Sequence, residues 1–186
     1  MHSSSESIYD QWLVIRCQQG EQDALAELVE RWEPRLYRHA HRLTGNADAA
    51  ADAAQESWLA IVRGLRRLDD AARFPAWAYR IVTFKCADWT RRRQRHRNSH
   101  DRLVQRQQTL DDAQDATSGR IDDIARLQEA LRQLSGAHRA ALSLHYLEEL
   151  SIEQIATALN IPQGTAKSRL HFARAHLKAI LERSPA

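Results

Sequence analysis

Apolar residues recur along this chain three or four positions apart, and alternating strand-like runs are absent. That spacing predicts α-helices that each bury one face. Four such stripes occupy the first part of the chain. Their members are Ile8, Trp12 and Ile15; Leu25, Leu28, Val29, Trp32, Leu36, Ala40 and Leu43; Ala50, Ala53, Ala54, Trp58, Ile61, Val62 and Leu65; and Phe74, Trp77, Ile81 and Phe84. Pro34 predicts a kink or break in the second of these helices.

A second helical unit follows a change in composition. Residues 98–120 are rich in Gln, Asp, Ser and Thr and poor in aromatic residues, which predicts a flexible or partly helical linker. Helical stripes resume beyond it, at Ile124, Leu127, Leu131 and Leu134 and then at Ala141, Leu142, Leu144, His145 and Leu147. The chain therefore predicts an all-α protein with two small helical domains, at residues 1–97 and 121–186, joined by the linker.

The segment from Ser151 to Lys178 has the form of a helix-turn-helix. Ser151 and Gln154 have capping-box spacing, which sets the start of its first helix. Asn160 stands where the chain must turn, because asparagine tolerates the left-handed conformation. Pro162 suits the first turn of the next helix, where a missing N–H costs nothing.

The second helix of this motif divides into a buried stripe and two polar flanks. Ala166, Leu170, Ala173 and Leu177 lie on the stripe at 3.6 residues per turn. Off the stripe, Thr165, Ser168 and Arg169 are candidates for reading base edges, whereas Lys167, Arg174 and Lys178 are candidates for binding phosphates. The alternative is an ordinary helical hairpin with a solvated basic face. The absence of acidic residues from Gln163 to Lys178 favours DNA.

Composition narrows the functional class of the protein but does not identify it. The chain has 186 residues, of which 43% are hydrophobic, and a net charge of only +3, so any nucleic-acid signal must lie in local patches. Cys17 and Cys86 fit neither a disulfide framework nor a CxxC metal site, which indicates reduced thiols. Neither a signal peptide nor an apolar run long enough to span a bilayer is visible, so we expect a cytoplasmic location without membrane insertion.

The first half carries its own signal for nucleic acid. An aromatic-rich helix leads directly into the basic run Arg91, Arg92, Arg93, Arg95 and Arg97, and aromatic rings beside arginines suit single-stranded or melting DNA. The shared face of Phe74, Trp77, Ile81 and Phe84 is better explained as core. Tyr79 and Thr83 point elsewhere and are the better candidates for contact. The arginines alternatively form a solvated helix end at the favourable dipole.

Taken together, the two halves resemble the extracytoplasmic-function (ECF) group of bacterial RNA polymerase sigma factors. In the first half the string RLTGNADAAADAAQESW, the F-x-x-W spacing of Phe74 and Trp77, the YRI at 79–81, and Asp88 before the arginines resemble the family's region two. In the second half, GTAKSRL at 164–170 resembles region four. The resemblance covers nearly everything except the N-terminal tail and the linker.

The resemblance implies a sigma factor that binds core RNA polymerase and recognises and melts promoter DNA. Region two would bind the β′ clamp helices and the minus-ten element, and region four the minus-thirty-five element and the β flap. Carried over by motif, the polymerase-binding residues are Asp52, Gln55, Glu56 and Leu59; the minus-ten residues are Tyr79, Arg80, Lys85, Arg91 and Arg92; and the minus-thirty-five residues are Thr165, Lys167, Ser168, Arg169, Arg174 and Lys178. The family also implies an anti-sigma factor as a partner.

Two departures from the family's pattern stand out. Phe84 occupies a position where members often have asparagine, which puts its part in base recognition in doubt. Ala78 replaces a commoner larger aliphatic residue, which loosens local packing without changing the fold.

Two other functions compete with that of a sigma factor. A stand-alone helix-turn-helix regulator would explain the second half only, and such proteins usually dimerise. An enzyme or metal site is disfavoured because the pairs His39 with His41 and His171 with His176 lack the i, i+4 spacing that converges on one metal. Catalytic motifs such as HExxH or a P-loop do not occur in the sequence, so we expect neither a catalytic site nor a cofactor.

Overall fold

Helices account for the architecture of this protein. A computed structural model describes residues 4–100, 126–127, 129–131 and 133–183. Within those ranges the chain forms helices, turns and bends but no strand, which confirms the all-α prediction. The helices are α1 (Ser4–Gln18), α2 (Gln22–Thr44), α3 (Ala47–Gly64), α4 (Phe74–His100), α5 (Gly136–Tyr146), α6 (Ile152–Leu159) and α7 (Gln163–Arg183), with 3₁₀ turns at Leu65–Arg67 and Ala71–Arg73. The described residues between 126 and 133 are also helical.

Local chemistry sets several helix ends. Gly45 ends α2 in the left-handed conformation, at φ 65°, and donates its N–H to the His41 carbonyl at 2.8 Å. Asn46 then begins α3 by accepting the Ala49 N–H on its side-chain oxygen, also at 2.8 Å. Ser135 caps α5 in the same way through the His138 N–H. The sequence LTGNADA therefore specifies where α2 ends and where α3 begins.

α2 is the central helix of the first half and packs against α1, α3 and α4. The expected break at Pro34 is absent, since α2 runs without interruption from Gln22 to Thr44. Pro34 lies on the exposed side of α2, as does Glu30, whose carbonyl the proline leaves without a donor. Trp32 and Leu36, on either side of the proline, are buried in the core and hold both parts of the helix against it.

The face predicted for α1 is wrong. Ile8, Trp12 and Ile15 are 64%, 45% and 45% exposed, whereas Leu13 and Val14 are fully buried. The buried side is fixed instead by an ion pair, in which the Arg31 Nε of α2 donates to the enclosed Asp10 carboxylate at 2.9 Å. Hydropathy alone could not show that a carboxylate belongs to the packed face.

The face predicted for α4 is wrong at its far end. Phe74 is buried, but Phe84 is 62% exposed, and the helix buries Ala78, Tyr79, Val82 and Cys86 instead. The cause is that α4 packs against α2, α3 and, from the second half, α6. A helix covered on several sides buries an arc that one apolar stripe does not describe. Other residues assigned to buried stripes but exposed here are Val62, Leu127 and Leu147.

The second half packs onto the first. α5, α6 and α7 contact one another, α6 also contacts α4, and α5 contacts α2. Buried apolar residues of both halves, from Leu13 to Ala173, belong to one continuous core. Much of the expected linker, together with Ile124, lies outside the described residues. The domain boundaries at 97 and 121 remain a prediction, and α4 itself continues to His100.

Candidate nucleic-acid and protein interfaces

The helix-turn-helix is formed by α6 and α7. Ser151 and Gln154 make the complete capping box, with the Gln154 N–H on the Ser151 hydroxyl at 3.2 Å and the Ser151 N–H on the Gln154 side chain at 2.9 Å. Asn160 turns the chain at φ 52°, ψ 51°, in the left-handed region. The Pro162 carbonyl accepts the Ala166 N–H at 3.0 Å, so the proline stands just before α7. The capping box and the left-handed Asn160 are confirmed, whereas Pro162 lies one position before the first turn predicted for it.

α7 presents its polar residues outward. Ala166, Leu170 and Ala173 are buried and Leu177 is half-buried, as the stripe predicted. The residues proposed to meet the minus-thirty-five element are exposed, apart from a half-buried Arg169: Thr165, Lys167, Ser168, Arg174 and Lys178. The two flanks of α7 together therefore offer three cations besides Arg169, and two hydroxyls, to solvent.

Some of these side chains already have partners within the protein. The Ser168 hydroxyl donates to the Thr165 carbonyl at 3.1 Å, and Lys178 pairs with Glu182 at 3.6 Å. The Arg174 guanidinium lies 5.9 Å from the centre of the Tyr146 ring of α5. These are exposed, exchangeable contacts, so they leave the cations available to a polyanion.

α3 carries an exposed stripe opposite its buried face. Asp52, Gln55, Glu56 and Leu59, predicted to bind polymerase, are all exposed and follow one another at helical spacing. Leu59 is 54% exposed, and Val62 one turn later is 45% exposed. The solvent-facing side of α3 therefore places an apolar patch, Leu59 and Val62, beside acidic and amide groups.

The residues predicted for minus-ten DNA divide between the surface and the interior. Tyr79 is only 1% exposed, and its ring lies 5.8 Å from that of Trp32 and 5.1 Å from that of His39. Its hydroxyl donates to the carboxylate of Glu148. The next residue, Arg80, is exposed and lines an open crevice of about 480 Å³ against α6 and the turn that follows it.

The remaining minus-ten candidates lie farther along α4. Lys85 bridges to α3 through Glu56, with 2.9 Å between the Lys85 Nζ and a carboxylate oxygen. Arg91 and Arg92 are exposed, and Arg92 pairs with Asp88 at 2.7 Å. The structure therefore brings the proposed polymerase face and the proposed minus-ten face together at the α3–α4 contact.

Comparison with known proteins identifies both halves. Residues 28–96 match the family model "Sigma-70 region 2", and residues 124–177 match "Sigma-70, region 4". The chain is 37% identical over 151 residues to the ECF RNA polymerase sigma factor SigL of Mycobacterium tuberculosis, covering 79% of this chain and 82% of that protein. The chain belongs to the ECF sigma factors.

Other sigma factors are similar in sequence to this chain along most of their length. The ECF RNA polymerase sigma factor SigW of Bacillus subtilis is 28% identical over 176 residues, which cover 90% of this chain and 94% of SigW. The RNA polymerase sigma factor CarQ of Myxococcus xanthus is 30% identical over 167 residues, which cover 89% and 94%. The function of this sigma factor is to bind core RNA polymerase and direct initiation at promoters.

Solved structures share its fold. The sigma factor RpoE in complex with the anti-sigma factor NepR from Bartonella quintana superposes with a TM-score of 0.70, at 23% identity, over 87% of this chain and 98% of RpoE. CnrH, solved in complex with the cytosolic domain of CnrY, gives a TM-score of 0.67 at 22% identity, over 95% and 99%. The described helices therefore follow an arrangement that other sigma factors adopt.

Sequence reasoning missed the polar cluster beneath Tyr79 in this sigma factor. It contains Glu148, Arg42, Ser143 and His39. Arg42 and Glu148 are separated by 106 residues, so no periodicity or local motif could connect them. His39 is fully buried, and burial with the nearby Arg42 charge lowers its pKa to about 3, so the ring is neutral.

The cysteines of the sigma factor are buried and free. Burial raises the pKa of Cys17, and it raises the pKa of Cys86 to about 12, so both are poor nucleophiles. Among the described residues, no group of three or more His, Cys, Asp or Glu side chains could hold a metal ion. Nor is any described helix long and apolar enough to cross a membrane.

Proposed function

We propose that the two halves of this sigma factor divide promoter recognition between them. The first half binds the β′ clamp helices of core polymerase through the α3 stripe and the minus-ten element through α4. The second half binds the β flap and, through α7, the minus-thirty-five element. The boundaries of these units are residues 1–97 and 121–186. The protein acts in the cytoplasm and has no catalytic role of its own.

The outward polar face of α7 is the observation that carries this proposal. The helix buries small and aliphatic residues at Ala166, Leu170 and Ala173 against α5 and α6, and it turns Thr165, Ser168 and Lys167 to solvent. In a helix-turn-helix, the N-terminal residues of the second helix reach base edges in the major groove. Angle and family motif therefore select the same side chains.

The base-reading assignment is tested at Arg169. We expect Arg169→Ala to weaken transcription that depends on the minus-thirty-five element by about 1–3 kcal/mol, because a well-placed arginine contact to guanine contributes about that much discrimination. Run-off transcription with core polymerase on promoters with matched and altered elements measures the effect. An unchanged preference between the two promoters would reject the assignment.

Lys178→Ala is the matched control on the same helix. This lysine is exposed and lies on a flank, so its proposed contact is with a phosphate. Its loss should reduce affinity on both promoters alike and lower the slope of log affinity against log salt by about 1. Loss of promoter preference in this variant would contradict the division between base readers and phosphate binders.

Whether DNA binding requires polymerase distinguishes a sigma factor from a stand-alone regulator. In a gel shift with promoter DNA, we expect weak binding by the protein alone and specific binding once core polymerase is added. Tight sequence-specific binding without polymerase would reject the proposed division.

An anti-sigma factor is proposed as the regulatory partner. The support is that RpoE, whose fold this chain shares, was solved bound to the anti-sigma factor NepR. Affinity capture from the source bacterium, with the α3 stripe intact and disrupted, would test whether such a partner competes with polymerase for the same surface.

A further inference from the structure

The outer side of α1 carries a cluster of apolar side chains. Ile8, Trp12 and Ile15 follow one another at helical spacing, and all three are exposed. Tyr9 lies beside Trp12 and is 37% exposed. Single exposed apolar residues are ordinary on a protein, whereas four on one side of one helix indicate an interaction surface. Together these four residues form the α1 surface.

The aromatic rings of the α1 surface are held in place within the protein. The centres of the Tyr9 and Trp12 rings are 5.4 Å apart, and the Arg16 guanidinium lies 4.4 Å from the centre of the Trp12 ring. Arg16 is held in turn by Glu21, whose carboxylate accepts the arginine Nε at 2.7 Å. A partner does not have to order these side chains on binding, which lowers the entropic cost of association. Tyrosine, tryptophan and arginine are also the residue types that carry most binding energy in protein interfaces.

The border of the α1 surface toward α2 is acidic. Glu27 of α2 accepts the Tyr9 hydroxyl, and Asp23 and Glu30 lie one helical turn before and after it. Asp23 and Glu30 are exposed, and neither forms an ion pair with a cation in the described part of the chain. Their carboxylates are therefore available to a partner.

The cations in the same area are already paired. Arg16 binds the Glu21 carboxylate, and Arg31 binds the enclosed Asp10 carboxylate at 2.9 Å while lying 5.1 Å from the centre of the Tyr9 ring. Among the described residues, the charge that stays unpaired beside the α1 surface is thus negative. The chain as a whole has the opposite sign, with a net charge of +3.

The acidic border decides between the possible occupants of the α1 surface. It would repel a nucleic acid or an anionic lipid surface. A second copy of this chain would bring the same carboxylates to both sides of one symmetric interface. A protein segment that places lysine or arginine beside an apolar face matches both the rings and the border.

We propose that the α1 surface docks a cationic amphipathic helix of a partner protein. The apolar face of that helix lies along Ile8, Trp12 and Ile15, and its cations face Asp23 and Glu30. This is the mode in which an amphipathic helix presents its apolar face to a complementary apolar surface. The proposal concerns a side of the sigma factor to which neither promoter DNA nor the polymerase stripe of α3 was assigned.

Two synthetic peptides probe the surface on the full-length protein. Both are amphipathic helices as long as α1 with the same pattern of leucines, and their polar positions are all lysine in one and all glutamate in the other. Fluorescence anisotropy of the labelled peptides measures their affinity. The test variants are Trp12→Ser and Glu30→Lys. Phe84→Ser removes an exposed aromatic ring from α4 and Glu182→Lys reverses an exposed charge on α7, so they are the matched controls.

We expect the lysine peptide to bind more tightly than the glutamate peptide, although the positive net charge of the chain would favour the reverse. Trp12→Ser should weaken binding of the lysine peptide about tenfold, because an interface residue of this type carries much of the binding energy. Glu30→Lys should weaken it about threefold, since an exposed ion pair contributes little. Both control variants should bind as the unmodified protein does. Circular dichroism checks the helices, and Ile15→Ser replaces Trp12→Ser if that variant unfolds.

Equal affinities for the two peptides would overturn the proposal, and so would a loss of binding in the controls as large as in the test variants. Sedimentation of the free protein tests the second copy, because a dimer that Trp12→Ser dissociates would mean that the chain covers this surface itself. Binding to anionic phosphatidylglycerol vesicles that Trp12→Ser abolishes would assign the surface to a membrane instead. These measurements need neither polymerase nor DNA, so their failure is distinguishable from a failure of promoter-dependent transcription.

Discussion

Tyr79 is enclosed by groups from two other parts of the chain. The rings of Trp32 and His39 in α2 lie on one side, and the Glu148 carboxylate accepts its hydroxyl on the other. Burial, and then the negative charge of Glu148, raise the pKa of the Tyr79 phenol. The phenol therefore stays a hydrogen-bond donor at any physiological pH, and the contact depends on geometry rather than on titration of the tyrosine.

His39 makes stability depend on pH. Its ring is buried against Tyr79, and its Nε2 lies 3.1 Å from the Thr83 hydroxyl. The folded-state pKa, about 3, lies below the ordinary value of 6.5, so the unfolded chain binds the proton more readily. The contribution of this histidine to stability is therefore complete above pH 6.5 and is lost as the pH falls toward about 3.

We expect His39→Gln to remove that dependence. Relative to the variant, the unmodified protein should lose up to about 1.4 kcal/mol of unfolding free energy per pH unit as the solution is acidified below the ordinary histidine pKa. Urea unfolding of both proteins at about pH 7.5 and about pH 5 measures the difference. Parallel pH profiles would show that His39 does not carry the effect.

Gly64 is required because Trp77 lies against it. A Cβ built at Gly64, the last residue of α3, would meet the Trp77 ring at 2.8 Å. We expect Gly64→Ala to destabilise the protein by about 1–2 kcal/mol, since the overpacking outweighs the better helix propensity of alanine. Gly136→Ala, where a Cβ meets nothing within 4 Å, is the control and should be neutral or mildly stabilising. Thermal unfolding compares the two, and equal melting temperatures would contradict the argument.

At the scale of elements, α3 has a buried face and, opposite it, an exposed face. One face is built from Ala50, Ala53, Ala54, Trp58 and Ile61 and is buried against α2 and α4. The small residues let the neighbouring helices approach closely, and the opposite face keeps its apolar centre in water. If the exposed stripe binds polymerase as proposed, the packed face of α3 would hold that stripe in a fixed position.

Leu59 is the residue of that surface to test. Leu59→Asp should weaken binding to core polymerase about tenfold, because it places a charge in the apolar centre of the proposed interface. Helix content should be unchanged, since the side chain is exposed. Ile8→Asp, on the exposed face of α1, makes the same kind of change elsewhere. Equal affinities for Leu59→Asp and Ile8→Asp in a fluorescence titration with core polymerase would remove the α3 stripe from the interface.

Some helices could be predicted from their sequence in more detail than others. α6 and α7 were predicted down to the capping box and the left-handed Asn160, because those features are local and each residue type has one strong preference. The buried faces of α1 and α4 were not predicted correctly, because each contains a polar residue whose partner is distant in sequence. Asp10 of α1 pairs with Arg31, and Tyr79 of α4 donates to Glu148. Periodicity reports an apolar stripe but does not report ion pairs or hydrogen bonds between helices.

At the scale of the whole molecule, the family and the fold class followed from the sequence, and the contact between the halves did not. Region-two and region-four strings occur in their expected order, and the all-α architecture agrees with them. The packing of α6 onto α4 has no counterpart in any local pattern. It places Arg80 at the crevice lined by α6 and the turn after it, and only the three-dimensional structure shows it.

The buried Glu148 contact also limits how the sequence can change. Arg42 and Glu148 lie 106 residues apart, yet removal of either charge would leave the other without its ion-pair partner. Breaking such a pair from one side is strongly destabilising, whereas replacing both partners together is tolerated far better. Among relatives that keep this packing, we therefore expect the two positions to change together rather than singly.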